Sequence, residues 1–98
     1  MVIPVVRPVR GGLVVERETV VGHEKLHARP AALLVQRAKG FESELKLEKD
    51  GNTVNAKSPM GVMRLGAGRG DAVRILAEGP DEEEAAEALA VFVAGEGS

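Results

Sequence analysis

Residues 44–56 read ELKLEKDGNTVNA, and this stretch decides the fold. Glu44 to Glu48 alternates charged and apolar residues. Leu45 and Leu47 therefore share one face of a strand and the charges share the other. Asp50-Gly51 is a hairpin turn signal, since the tight two-residue turn favours residues that tolerate positive φ. Thr53 to Ala56 is the short return strand, with Val54 and Ala56 on one face. A hairpin in mid-chain gives the sheet an antiparallel component, and its single apolar face needs a cover.

Helical patterns supply that cover on both sides of the hairpin. Upstream, Ala28 to Lys39 (ARPAALLVQRAK) reads as a helix with Pro30 in the first turn, where a missing N–H costs no intrahelical bond. Ala31, Leu34, Val35 and Ala38 form one apolar stripe. Lys39 suits the last turn and Gly40 the stop. Before it, Leu13 to Val21 (LVVERETVV) is a strand rich in β-branched residues, followed by a loop at Gly22 to Lys25. Val14 and Val20 lie on one side of this strand and Val15, Thr19 and Val21 on the other. Both sides also carry charge, so its inward face stays open.

Downstream, Ser58 reads as the N-cap of a short helix, Pro59 to Leu65, with Pro59 at the first position. Ala72 to Ala77 is a further strand, broken by Gly79-Pro80. Asp81 to Ala94 is the clearest helix. Asp81 is its expected cap, Glu84 has capping-box spacing, and Ala85, Ala88, Leu89 and Phe92 are its apolar stripe. The order is β-α-β-β-α-β-α. It predicts an α+β open-faced sandwich, a four-stranded antiparallel sheet covered on one face by helices.

The chain has 98 residues, enough for one domain. We expect that domain at 13–94, with a flexible N-terminal extension at 1–12 and a frayed tail at 95–98. The chain has no Cys, which excludes disulfides, zinc–thiolate sites and iron–sulfur clusters. A formal net charge of -2 and only two aromatic residues, Phe41 and Phe92, argue against nucleic-acid binding. No apolar run approaches the ~20 residues of a membrane span. A cytoplasmic monomer without metal or cofactor is the expectation. The Gly66 to Gly70 loop, GAGRG, follows a helix and precedes a strand, the wrong order for a nucleotide-binding motif.

The chemistry concentrates at Leu26 to Ala32, LHARPAA. His27 stands immediately before a helix. A helix start offers unpaired N–H groups and a partial positive charge, which favour an anion and above all a phosphate. Arg29 adds a permanent cation able to fork onto phosphate oxygens. A neutral imidazole is a competent nucleophile, and the helix end depresses its pKa. This set can accept a phosphoryl group, hold it and pass it on. It lacks the parts of an independent catalyst.

LHARPAA together with KSPMGVMRLGAGRGD closely resembles HPr, the family of histidine-containing phosphocarriers of the bacterial phosphoenolpyruvate-dependent sugar phosphotransferase system. The similarity runs from about Thr19 to Val93, and the element order is that of the family. The resemblance implies that His27 takes a phosphoryl group on Nδ1 from phospho-Enzyme I and donates it to IIA components of sugar permeases. It implies that Arg29 neutralises the phosphate and that Ala28, Arg29 and Pro30 frame it. Ser58 matches a regulatory serine, phosphorylated in related systems by HPr kinase/phosphorylase. Met60 and Met63 resemble an exposed docking patch with Val62 more buried, and Lys39 and Lys57 supply basic rim charge.

The resemblance leaves other roles open. A mainly regulatory protein would act through Ser58-dependent docking to a catabolite-control transcription regulator. A dihydroxyacetone or nitrogen branch of the same system is a further possibility. The chain also departs from the family pattern. Lys25 stands where glycine is usual, Glu24 and His23 precede it, Gln36 stands where a basic residue is often found and Pro59 replaces the usual aliphatic one. These departures bear on partner choice more than on fold.

Overall fold

The computed structural model describes residues 3–9, 12–22 and 28–95, and the side chains of residues 14–22 and 30–95. Its elements are β1 (Ile3–Val9), β2 (Gly12–Val20), α1 (Ala28–Lys39), β3 (Glu44–Lys49), β4 (Asn52–Asn55), α2 (Pro59–Leu65), β5 (Ala72–Glu78) and α3 (Glu82–Val93). The strands form one sheet in the order β1-β2-β5-β3-β4, antiparallel at every junction. The expected βαββαβα unit is present, with its four-stranded sheet and helical cover. One strand precedes it. Residues 3–9, read from the sequence as part of a flexible extension, pair with β2 from Ile3↔Glu18 to Val9↔Gly12. Pro4 and Pro8 and the absence of a clear alternation hid this strand from pattern reading.

The hairpin forms as its residues require. Asp50 and Gly51 both have positive φ, 52° and 83°, and they join Lys49 to Asn52 across the tight turn. Leu45 and Leu47 point inward with Val73, Ile75 and Ala77 of β5, and all five are buried. On β2 the inward residues are Val15, Arg17 and Thr19, continued by Val21 beyond the strand end. That settles the face left open by the sequence, and it puts a guanidinium beneath a helix. Arg17 reaches out of the core to α3, with Nε 3.2 Å from Glu87 and an Nη 3.4 Å from Glu83. Its stem packs as apolar surface while its head stays paired at the rim. The outer face carries a charge ladder instead, with Arg74 3.4 Å from Glu16, 3.6 Å from Glu18 and 3.5 Å from Glu48.

α1 buries the stripe expected of it, Ala31, Leu34, Val35 and Ala38. α3 buries a wider face than expected. Ala85, Ala86, Leu89, Ala90, Phe92 and Val93 are buried and Ala88 is only partly so. The reason is that α3 packs on β2 and β5 and also against α1, so two of its sides are covered. Arg37 of α1 lies over the Phe92 ring, 5.1 Å from its centroid.

The start of α3 corrects a second expectation. Asp81 holds the N-cap position but its carboxylate makes no cap bond. It accepts instead from the amides of Glu42 and Ser43, both at 3.0 Å, and from the Ser43 hydroxyl. The Glu82 side chain, not that of Glu84, turns back to the Gly79 amide at 3.0 Å. Asp81 therefore ties the α1–β3 loop to α3. These bonds favour the ionised carboxyl, with the Ser43 hydroxyl the main cause and the Glu42 amide next, and they hold Asp81 below its ordinary 3.8. A depressed folded-state pKa contributes stability that is present above the unfolded value and lost as pH falls through the folded one. Urea unfolding at a series of pH values should show wild type weakening below about pH 4 more steeply than Asp81→Asn. Parallel curves would contradict this role.

Candidate functional site

The candidate site lies where α1 begins. His27, the expected phosphoacceptor, falls outside the described residues, as do His23, Glu24 and Lys25. What borders them is described on both sides. Ala28 is the first residue of α1, and Ala28, Arg29 and Pro30 make its first turn. The leading amides of a 12-residue helix have no partners within it, so this turn presents donors and the positive end of the dipole at the helix start. Pro30 is half-buried and removes one N–H that the helix could not have used. No acidic residue stands in that first turn to oppose an anion.

The other border is Gly22. Its amide donates to the Val93 carbonyl at 2.9 Å, and a Cβ here would come within 2.1 Å of the Ala94 carbonyl oxygen. The chain leading to residues 23–27 is thus pinned to the end of α3, at a contact that only glycine permits without a shift. Sequence reading placed Gly22 in a loop but gave it no role. The signal was a glycine at a strand end.

α2 packs beside α1 and presents the second group of expected residues. Ser58 is half-buried at its N-cap, and its Oγ accepts from the Gly61 amide at 3.1 Å. The turn before it is closed by Asn55, whose Oδ1 accepts from the Lys57 amide at 2.8 Å. Met60 is 65% exposed, Met63 43%, and Val62 is buried, the distribution expected of them. Leu33 of α1, also exposed, adds to the same helical layer. The sequence signal for Leu33 was an apolar residue off the α1 stripe. Lys39 is exposed in the last turn of α1. Lys57 donates from Nζ to the Phe41 carbonyl at 2.8 Å, so it fixes the end of α1 while keeping a positive charge near the surface. Both lysines belong to the far end of α1, roughly 16 Å along the helix from its first turn at 1.5 Å per residue. Among the described residues, no helix is long and apolar enough to cross a membrane.

The cap makes a direct prediction. Ser58→Ala should lower stability by about 1 kcal/mol in urea titration, since the Gly61 amide loses its acceptor. An unchanged midpoint would show that water replaces the hydroxyl without loss.

Comparison with known proteins agrees with this arrangement. The family model described as "PTS HPr component phosphorylation site" matches residues 15–95. HPr-like protein Crh of Halalkalibacterium halodurans is 56% identical over 68 residues, which cover 69% of this chain and 81% of that protein. The crystal structure of phosphocarrier protein HPr from Bacillus anthracis superposes with a TM-score of 0.79 at 51% identity, covering 82% of this chain and 96% of that one. A crystal structure of Bacillus subtilis Crh, described as a swapped dimer, gives 0.67 at 54% identity over 72% of this chain and 82% of that one. Sequence, sheet and helix placement converge, and the chain belongs to the HPr family of the phosphotransferase system.

Proposed function

We propose that this protein is a cytoplasmic phosphocarrier that takes a phosphoryl group from phospho-Enzyme I on His27 and passes it to IIA components. The observation that carries the reading is the start of α1 at Ala28, directly after the histidine. In the transfer, the imidazole lone pair attacks phosphorus, the bond from phosphorus to the donor breaks, and a phosphoimidazole results. The next acceptor then attacks phosphorus, the phosphorus–nitrogen bond breaks, and its electron pair returns to the ring as the neutral imidazole. The chain needs no acid, base or metal of its own for this, because each partner supplies the other half of the reaction. Its contribution is electrostatic. The α1 amides and the Arg29 guanidinium balance the phosphate charge. Met60, Met63 and Leu33 offer an adaptable apolar surface that successive partners can share.

A second role at Ser58 is favoured by a specific observation. The serine caps α2 beside the exposed methionines, and the Halalkalibacterium relative is named an HPr-like protein Crh. A phosphate placed there by HPr kinase/phosphorylase would meet the α2 amides and be tolerated by the helix. It would also add about two negative charges beside the docking surface. That change weakens association with Enzyme I and offers a new contact to a transcription regulator. The two readings occupy different helices and are compatible in one molecule.

Incubation with Enzyme I and radiolabelled phosphoenolpyruvate tests the carrier reading. Acid-labile, alkali-stable label should appear on wild type and be absent from His27→Ala. Arg29→Ala should melt at the wild-type temperature yet be labelled about 10- to 100-fold more slowly, the worth of one charge-assisted fork. No label on wild type, or acid-stable label alone, would overturn the carrier reading.

A further inference from the structure

The two methionines of α2 are placed differently from its two core residues. Val62 and Leu65 are buried and hold the helix to the core. Met60 is 65% exposed and Met63 43%. They are three residues apart, so their side chains are neighbours on one helical face. Most of their apolar area stays in water, and with it the thioether sulfur of each.

Composition gives this pair a particular chemistry. The chain has no Cys, Trp or Tyr, and its third methionine is Met1. No thiol of the chain takes up an oxidant before the thioethers do. Oxidation to the sulfoxide turns a soft apolar side chain into a polar one. The step needs a two-electron oxidant of the peroxide class. The sulfur lone pair attacks the outer oxygen of hydrogen peroxide and the O–O bond breaks. The departing hydroxide takes the proton of the transferred oxygen and leaves as water. Sulfur is oxidised by two electrons and the peroxide is reduced by two. A dithiol reverses the change, becoming a disulfide while the sulfoxide oxygen leaves as water.

The supports of α2 do not involve either methionine side chain. At its start the Ser58 Oγ accepts from the Gly61 amide at 3.1 Å. At its end Gly66 is left-handed with φ 69°, and its amide donates to the Met63 carbonyl at 3.2 Å. Val62 and Leu65 remain in the core. An oxygen added at each sulfur therefore alters the surface and leaves the frame in place.

We propose that Met60 and Met63 form an oxidant-sensitive modification site, at which sulfoxide formation by peroxides weakens docking to Enzyme I while the chemistry at His27 is unaltered. This rests on the carrier reading, in which both methionines belong to the surface that partners share. A partner covering them with apolar groups strips water from each sulfoxide oxygen without replacing its hydrogen bonds, and the complex is disfavoured. The site is distinct from Ser58, where a kinase adds charge at the helix start.

Transfer kinetics before and after oxidation test this. The full chain is treated alone with hydrogen peroxide, the excess is destroyed with catalase, and Enzyme I with phosphoenolpyruvate follows. Peptide mass spectrometry should find an added oxygen on Met60 and on Met63. The KM for this protein should rise at least about tenfold, with kcat held within about twofold, since docking weakens and the chemical step does not. The thermal melt should stay cooperative. Sulfoxide reductases acting on both epimers, with a dithiol, should restore KM. Met60→Leu/Met63→Leu lacks both thioethers, and its own KM, whatever the value, should be the same with and without peroxide. Methionines that stay unoxidised would overturn the proposal. So would an unchanged KM after oxidation, one that the reductases fail to restore, or a rise that persists in the leucine variant. Loss of the cooperative melt would place the effect in the fold and overturn it equally. Absence of label on untreated protein would overturn the carrier reading and this proposal together, whereas normal transfer by the oxidised protein overturns this proposal alone.

Discussion

The insertion of β5 between β2 and β3 is the constraint on which the rest depends. β2 and β3 are consecutive in the chain apart from α1, yet neither pairs with the other. Each is bonded to β5, from Val15↔Ala77 to Val20↔Ala72 on one side and from Glu44↔Glu78 to Glu48↔Arg74 on the other. The crossover through α1 must therefore span a strand's width and lie on the helical face. That is why α1 starts where it does, just past the end of β2, with its free amides at one end of the sheet. The buried row Val73, Ile75 and Ala77 supplies the middle of the floor on which the helices rest. A polar residue in that row would leave an unsatisfied group under the helices and unsettle the position of α1 before it changed anything at the site.

Two helices with different jobs share this frame. α1 is long and anchored by four buried residues, so the turn after His27 is a stable platform. α2 is a seven-residue helix held by a serine cap and by Val62 and Leu65 in the core, with its methionines outward. A short helix of this kind is stabilised mostly by its packing and its cap. In the proposed reading, a modification at its cap would act on the exposed methionine surface without disturbing the first turn of α1. On that same reading, chemistry at one helix start and control at another divide the work of a small carrier that must release each partner.

Much of the fold was legible because local signals and the global fold agree. α1 and α2 run over the residues their Pro, Ser and Gly signals indicated, and the Asp50-Gly51 turn has the positive φ values it implied. The failures have physical causes. β1 carries two prolines, which read as breakers until the register shows both within a paired strand. Asp81 has cap chemistry, but the amides of Glu42 and Ser43 compete for its carboxylate, and no sequence pattern links positions so far apart. Arg17 looked like a reason to doubt an inward face. Two glutamates on α3 make it inward-facing, and pairing across that distance is invisible in one dimension. At the site, the helix start at HARPA was readable from Pro30 and the apolar stripe behind it, whereas the Gly22 contact with the end of α3 needed the tertiary structure.

The central claim is that the first turn of α1 holds the phosphoryl group delivered to the neighbouring histidine. Phosphorus and amide NMR of the protein, before and after phosphorylation by Enzyme I and phosphoenolpyruvate, tests it most directly. The account predicts one phosphohistidine resonance, with the largest amide shifts at Ala28 and Arg29 and the Gly61 and Val62 amides of α2 unmoved. A phosphate resonance accompanied by shifts centred on α2, with Ala28 and Arg29 unchanged, would contradict it.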